Sequence, residues 1–210
     1  YNSYYGHLLT PRLHLKYHLN EHTTLRASGG KGYRAANVFI ENTGLLASSR
    51  QFIFYNDFDI EEAWNYGLNL TRKFQLNHHR VMTLTLDAYR TDFQNQVIAD
   101  TERNSQEVHF YNLRGDSYSH SAQIEASTTL EHMEILAAYR FNDVQTTINQ
   151  KLVEKPLSNR HKGLLSLSVF TEERKWQADF TGQFNGRKAL PSTAHHPQSY
   201  RRDDFSPGFF

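Results

Sequence analysis

Arg12-Leu13-His14-Leu15-Lys16-Tyr17-His18-Leu19 sets an apolar side chain at every odd position and a basic or titratable one at every even position. A strand sends successive side chains to opposite faces, so this run has one face fit for hydrocarbon and one fit for water. The same alternation recurs along the chain and predicts about eight strands. They cover roughly 8 to 19, 23 to 30, 62 to 76, 80 to 98, 118 to 131, 133 to 147, 161 to 172 and 175 to 187. The clearest is the third, where Trp64, Tyr66, Leu68, Leu70, Phe74 and Leu76 share one face and Asn65, Gly67, Asn69, Thr71, Lys73 and Gln75 the other. Only Arg72 interrupts its apolar side. Leu136 and Ala138 blur the alternation in the sixth, and helical periodicity competes nowhere for long.

The connections alternate between tight and roomy. Tight turns fall at Asn20-Glu21-His22, Asn77-His78-His79, Glu131-His132 and Glu173-Arg174-Lys175, while long links run 31 to 61, 100 to 117, 148 to 160 and 188 to 210. In an up-and-down meander every second connection lies at the same end, so one end has short turns and the other long loops, as in outer-membrane barrels. A fifteen-residue strand spans ~50 Å, and a tilt of ~45° leaves roughly 35 Å of height, more than the ~25 Å apolar band of such barrels. Tyr17, Trp64, Tyr66, Phe74, Tyr139, Phe141 and Trp176 fall near the ends of the apolar faces, where interfacial girdles want them. A soluble sandwich also alternates, but its strands are typically ~5 to 6 residues long and carry no long-short rhythm.

Bulk composition narrows the function classes. Lys plus Arg number 23 against 22 acids, a net charge of +1, so no large field argues for nucleic acid. Mean hydropathy is −0.69, and no stretch approaches the ~18 consecutive apolar residues of a spanning helix. There is no cysteine, which removes disulfides and thiolate metal sites. The start, Tyr1-Asn2-Ser3-Tyr4-Tyr5-Gly6, has neither initiator Met nor leader character, so the expectation is a processed or excised segment.

Two segments carry a resemblance. Leu25-Arg26-Ala27-Ser28-Gly29-Gly30-Lys31-Gly32-Tyr33-Arg34-Ala35-Ala36-Asn37 and Glu61-Glu62-Ala63-Trp64-Asn65-Tyr66-Gly67-Leu68-Asn69-Leu70-Thr71 resemble the mid-barrel signature of TonB-dependent outer-membrane receptors. There a Ser-x-Gly-x-Gly-aromatic-Arg-Ala-Pro-like strand end is followed by a strand opening with Pro-Glu. Ala36, Glu61 and Tyr66 depart from that pattern, standing where Pro, Pro and an acid are frequent. Asp87 to Phe93, Gly115 to Glu125 and Pro156 to Lys162 extend the likeness over nearly the whole chain. The resemblance implies an all-β, antiparallel, up-and-down transmembrane β-barrel of ~22 strands with a plug inside it. Residues 1–210 are then part of one barrel domain, with the plug and the remaining strands outside this chain. Pro207 and Gly208 leave Ser206-Pro207-Gly208-Phe209-Phe210 without the character of a closing strand.

The implied activity is uptake of a scarce nutrient across the outer membrane of a Gram-negative bacterium, driven by TonB through the missing plug region. A ferric siderophore or similar metal complex is the first expectation for the ligand. Residues 35 to 61 hold no His, which tilts away from haem, because haem receptors of this family often carry one there. The implied partners are outer-membrane lipid, TonB and a small-molecule or metal-complex ligand, with no nucleic acid and no cofactor. A different class stays open on strand count: a complete eight-stranded outer-membrane barrel serving as adhesin or structural anchor. A soluble carbohydrate-binding sandwich is the third reading.

No catalytic or metal-binding spacing stands out. His78-His79 and His195-His196 read as solvated turn residues, because neighbouring strand positions face opposite ways. Arg26, Lys73, Asp87, Glu125, Glu134, Arg140, Asp179 and Arg187 are expected to face a water-filled lumen. Ligand contact is expected in the loops, at Arg34, Asn37, Arg50, Tyr55, Asn56 and Asp57, with Arg34 also readable as a strand-end residue paired with an acid. Gly29, Gly30 and Gly32 suggest a kink or bulge where the strand leaves the membrane.

Overall fold

The structure, a computed structural model, describes residues 4–55, 57–77, 80–193 and 198–200. In chain order the elements are β1 (Arg12–Asn20), β2 (Thr23–Arg34), α1 (Val38–Glu41), α2 (Thr43–Leu46), β3 (Gln51–Phe54), β4 (Glu61–Asn77), β5 (Arg80–Asn95) and β6 (Val97–Asp100). They continue with β7 (Glu107–Asn112), β8 (Ser117–Leu130), β9 (Met133–Ile148), β10 (Lys151–Glu154), β11 (His161–Phe170) and β12 (Gln177–Asn185). The long strands form one antiparallel meander in the order β1-β2-β4-β5-β8-β9-β11-β12, with β10 hairpinned onto β9. This sheet is open: β1 and β12 are not paired with each other. β3, β7 and β6 make a separate three-stranded sheet within the long connections.

Register converts alternation within each strand into two continuous surfaces. Leu15, Ala27, Leu68, Ala88, Ala122 and Phe141 lie opposite one another across six strands. One position along, Lys16, Arg26, Asn69, Asp87, Gln123, Arg140, Lys162 and Asn185 form the matching row on the other face. That row is hydrogen-bonded in part: Arg26 Nη1 donates to Asn69 Oδ1 at 3.0 Å, and Asn69 Nδ2 to Asp87 Oδ1 at 2.8 Å.

The apolar face has no covering layer among the described residues. Leu15 is 59% exposed, Leu68 55% and Phe180 61%, and the buried apolar residues Ile98, Val108, Phe110, Ile148, Phe170 and Ala189 all lie elsewhere. A soluble sandwich would bury these leucines against a second sheet. Such a face is stable only against another apolar phase. Among the described residues no helix is long and apolar enough to cross a membrane, which does not bear on crossing by strands.

Local sequence sets the strand ends. β1 starts at Arg12 rather than near residue 8, because Pro11 has no N–H and its carbonyl accepts from Lys31 N at 3.0 Å. β2 runs past its glycines to Arg34 with no register shift against β4, so the expected bulge is not there; of the three only Gly30 makes room for a neighbour, a Cβ there standing 3.0 Å from Arg12 Cγ, while Gly32 faces open space. The register shifts that do occur lie between His18 and Asn20, Glu62 and Ala63, and Gln75 and Asn77. The clearance is tightest at Gly67, where a Cβ would stand 2.5 Å from Tyr89 Cε1 and 2.8 Å from Ser28 Oγ. The strand expected over 80 to 98 divides at Gln96, whose carbonyl accepts from Leu113 N at 2.7 Å. The turn containing His78-His79, the pair His195-His196 and the segment Ser206 to Phe210 lie outside the described residues.

Candidate functional site

The long connections fold on themselves into a cap at one end of the sheet. β3 pairs in parallel with β7, and β6 antiparallel with β7, so the link between β2 and β4 is joined to the link between β5 and β8. One face of this small sheet is aromatic. Phe110 stacks on Phe54 at a ring separation of 5.2 Å and meets Phe52 edge-on at 5.5 Å, while Phe39 of α1 lies 5.9 Å from Phe54. Phe110 and Val108 are fully enclosed, which makes this cluster the best-packed part of the described chain.

The opposite face carries Tyr55, His109, Tyr111 and Asp100. His109, 5% exposed, bonds through Nε2 to Glu107 Oε2 at 3.0 Å and through Nδ1 to Tyr55 Oη at 3.0 Å, and Arg103 Nη1 donates to the same hydroxyl at 3.3 Å. A neutral imidazole with its proton on Nε2 satisfies all three contacts: it donates to Glu107, accepts from Tyr55, and leaves the phenol oxygen to accept from Arg103. Asp100, with no exposed surface, accepts from the amides of Glu102 and Arg103 and from the Tyr111 hydroxyl at 3.2 Å.

Burial, together with the Asp100 carboxylate, pushes Tyr111 up to about 12 from an ordinary 10.0. The unfolded phenol ionises first, so this contribution to cap stability is complete below about pH 10 and is lost as pH rises toward 12. In the full-length protein, the Tyr111 ring resonance is expected to titrate well above the ordinary 10.0 of a phenol. Titration near 10 would show that the phenol is not enclosed.

A carboxylate clamps the base of the cap. Glu61, 7% exposed, accepts from Arg34 Nε at 2.6 Å and from Val97 N at 3.0 Å, tying β2, β4 and β6 together. Arg34 also meets Glu41 at 3.0 Å, and Glu41 accepts from Asn37 N at 3.0 Å. Glu61 is buried but Arg34 is largely exposed, so Glu61→Ala is expected to cost about 1–3 kcal/mol, between the values for surface and enclosed pairs. Chemical denaturation of the full-length protein measures it; a loss below about 0.5 kcal/mol would remove the clamp.

The expected loop residues do not converge on one point. The Arg34 donors go to Glu61 and Glu41, and Asn37 caps α1 by accepting from Ile40 N at 3.2 Å. Arg50 reaches the Thr101 carbonyl at 3.5 Å, and the Asp57 carbonyl accepts from Asn112. Asn56 lies outside the described residues. Arg34 borders an open cavity of about 620 Å³ with Lys31, Glu61 and Glu62, and Tyr55 a separate one of about 430 Å³ between the cap and the turn joining β9 to β10, with Arg103, Tyr111, Arg114, Asn149 and Gln150 around it. Sequence reading passed over Arg103, Tyr111 and Arg114, which fall in the long link from 100 to 117.

On the sheet, Arg26, Lys73, Asp87, Glu125, Glu134, Arg140 and Asp179 share the polar face by register. Arg187 lies beyond the paired register. It follows the end of β12 and borders a separate cavity with Tyr139 and Phe184. Among the described residues no cluster of His, Asp or Glu has the makeup of a metal site.

The open meander, its long strands, its uncovered apolar face and its folded loop end are those of part of an outer-membrane barrel wall. The family described as TonB dependent receptor-like, beta-barrel, matches residues 1–209, and the chain belongs to that family. Its members are outer-membrane β-barrels of Gram-negative bacteria and are transporters rather than enzymes. Solved structures agree on the fold. The FrpB iron transporter from Neisseria meningitidis (F3-3 variant) superposes with a TM-score of 0.65 at 12% identity, covering 95% of this chain and 30% of that one. Its F5-1 variant in the apoprotein form gives 0.66 at 12%, covering 95% and 30%. FpvAI, in a complex with pyocin S2, gives 0.63 at 14%, covering 95% and 26%. The chain therefore spans less than a third of the length of these structures. No curated protein matches the sequence.

Proposed function

We propose that the chain is one stretch of wall, with its extracellular loops, of an outer-membrane receptor that imports a scarce nutrient using energy transmitted by TonB. A ferric siderophore or similar metal complex is the cargo this reading favours. The observation that carries it is the pairing of an uncovered apolar face with a hydrogen-bonded polar face on one continuous sheet, capped at its long-loop end by a folded subdomain. Lipid takes the first face and a water-filled lumen the second.

On this reading residues 1–210 belong to a single barrel domain, and the plug and remaining strands lie elsewhere in the protein. Arg26, Lys73, Asp87, Glu125, Glu134, Arg140 and Asp179 face the lumen and the plug. The cap, with Tyr55 at its cavity, is where the ligand is first met. The alternative of a small complete barrel acting as adhesin or anchor is disfavoured, because the match of nearly the whole chain to under a third of much longer receptors suits a segment better. Two FrpB structures described as those of an iron transporter support the choice of cargo.

Growth of a strain lacking the gene, on defined ferric siderophore, haem and cobalamin sources, tests the reading. Loss of growth on one ferric complex is expected, restored by the full-length gene only while TonB is intact. Unchanged growth on every source, or rescue without TonB, would contradict it.

A further inference from the structure

We propose that the cavity between the cap and the turn joining β9 to β10 binds a small soluble oxyanion, a carboxylate- or phosphate-bearing solute, through Arg103 and Arg114. The proposal rests on the uptake reading only in taking the cap to be the face that ligand meets first.

Charge is the first argument. Arg103 and Arg114 border the cavity with Tyr55, Tyr111, Asn149 and Gln150; Thr147 completes the wall, and among the described residues no carboxylate lines it. Arg34, Arg80, Arg90, Arg160 and Arg174 each meet an acid. Neither Arg103 nor Arg114 has an ion-pair partner among the described residues. A guanidinium carries five donors in a planar fork, and Arg103 spends one of them, on the Tyr55 hydroxyl. The remainder suit an oxyanion, which such a fork binds in two-point fashion.

The second argument is preparation of the site. Tyr55 is held by His109, which is held in turn by Glu107, and the Arg103 guanidinium lies 5.9 Å from the centre of the Tyr55 ring. The side chain that positions Arg103 is thus itself fixed from behind, which lowers the ordering cost on binding. Tyr111 stays a neutral phenol at ordinary pH, so it adds no negative charge to the wall. On the facing side, Asn149 and Gln150 take φ values of 50° and 62°. Positive φ at both positions makes this a type I′ hairpin turn, a conformation that Asn tolerates and Gln rarely adopts, so the chain keeps a strained residue where glycine would be relaxed. Backbone strain of this kind concentrates at ligand clamps. At about 430 Å³ the cavity matches a small solute.

Calorimetric titration of the full-length protein in detergent with citrate, inorganic phosphate and glucose tests the proposal, with vesicles of anionic phospholipid as a fourth arm. Saturable binding of citrate or phosphate is expected, weakening as NaCl rises and absent for glucose. The Arg103→Ala/Arg114→Ala double variant is expected to bind at least tenfold more weakly. Arg114→Gln alone, which leaves Tyr55 and its hydrogen bonds in place, is expected to weaken binding by a smaller factor, and Lys151→Ala outside the cavity to leave it unchanged. Binding of neither anion, equal binding by the double variant, or binding to vesicles alone would overturn the proposal. Anion binding is read on purified protein and uptake on growing cells, so either can fail while the other stands.

Discussion

Leu68→Arg is expected to destabilise the assembled full-length protein by about 2–4 kcal/mol, the cost of a cation placed mid-depth on a lipid-facing strand. Leu68 sits in the row shared by Leu15, Ala27, Ala88, Ala122 and Phe141, and it is 55% exposed with no protein layer over it. The same change three residues along, Thr71→Arg, places the charge on the polar face between the neutral Thr24 and Thr85, and is expected to cost less than about 1 kcal/mol. Urea unfolding from lipid vesicles reads both. Equal costs at the two positions would mean that the faces do not meet different solvents.

Phe110→Ala is expected to be the most damaging change in the cap, at about 3–5 kcal/mol for a fully enclosed aromatic side chain. Its ring contacts Phe52 and Phe54 from β3, and its backbone joins that strand to β7, so loss of the ring loosens both loops together. The damage is confined by topology, because the meander does not run through this small sheet. Uptake is therefore expected to fall sharply while the amount of assembled barrel stays near normal, as read by whole-cell transport beside surface labelling. Loss of assembly in parallel with uptake would show instead that the cap supports the wall.

The eight long strands were legible because each repeats its own pattern. Seventeen residues of β4 alternate over enough positions to outvote the lapse at Arg72. A proline or a cluster of glycines shifted only the ends, by a few residues in β1 and β2. The cap was not legible as a sheet. Gln51 to Phe54 and Val97 to Asp100 are four residues each, too short to establish a period, and the first finds β7 only across dozens of residues of chain. β7 is covered on both faces, so Val108, His109 and Phe110 are all buried and polarity no longer marks direction. The candidate site suffered most from this. Tyr55 was nameable as a loop aromatic, but Arg103 and Arg114 acquire meaning only once the pairing of β3 with β7 brings their loop beside it. Arg34, chosen as a loop cation, turned out to have its donors engaged by Glu61 and Glu41, the other role open to it from sequence.

The native chain has no cysteine, so single cysteines introduced along β4 report their surroundings without interference from within this segment. In the full-length protein in vesicles, labels at Tyr66→Cys, Leu68→Cys and Leu70→Cys are expected to be quenched by a lipid-borne quencher and spared by an aqueous one. Labels at Asn65→Cys, Asn69→Cys and Thr71→Cys are expected to show the reverse. Quenching that fails to alternate with residue parity would contradict the assignment of one face to lipid and the other to water.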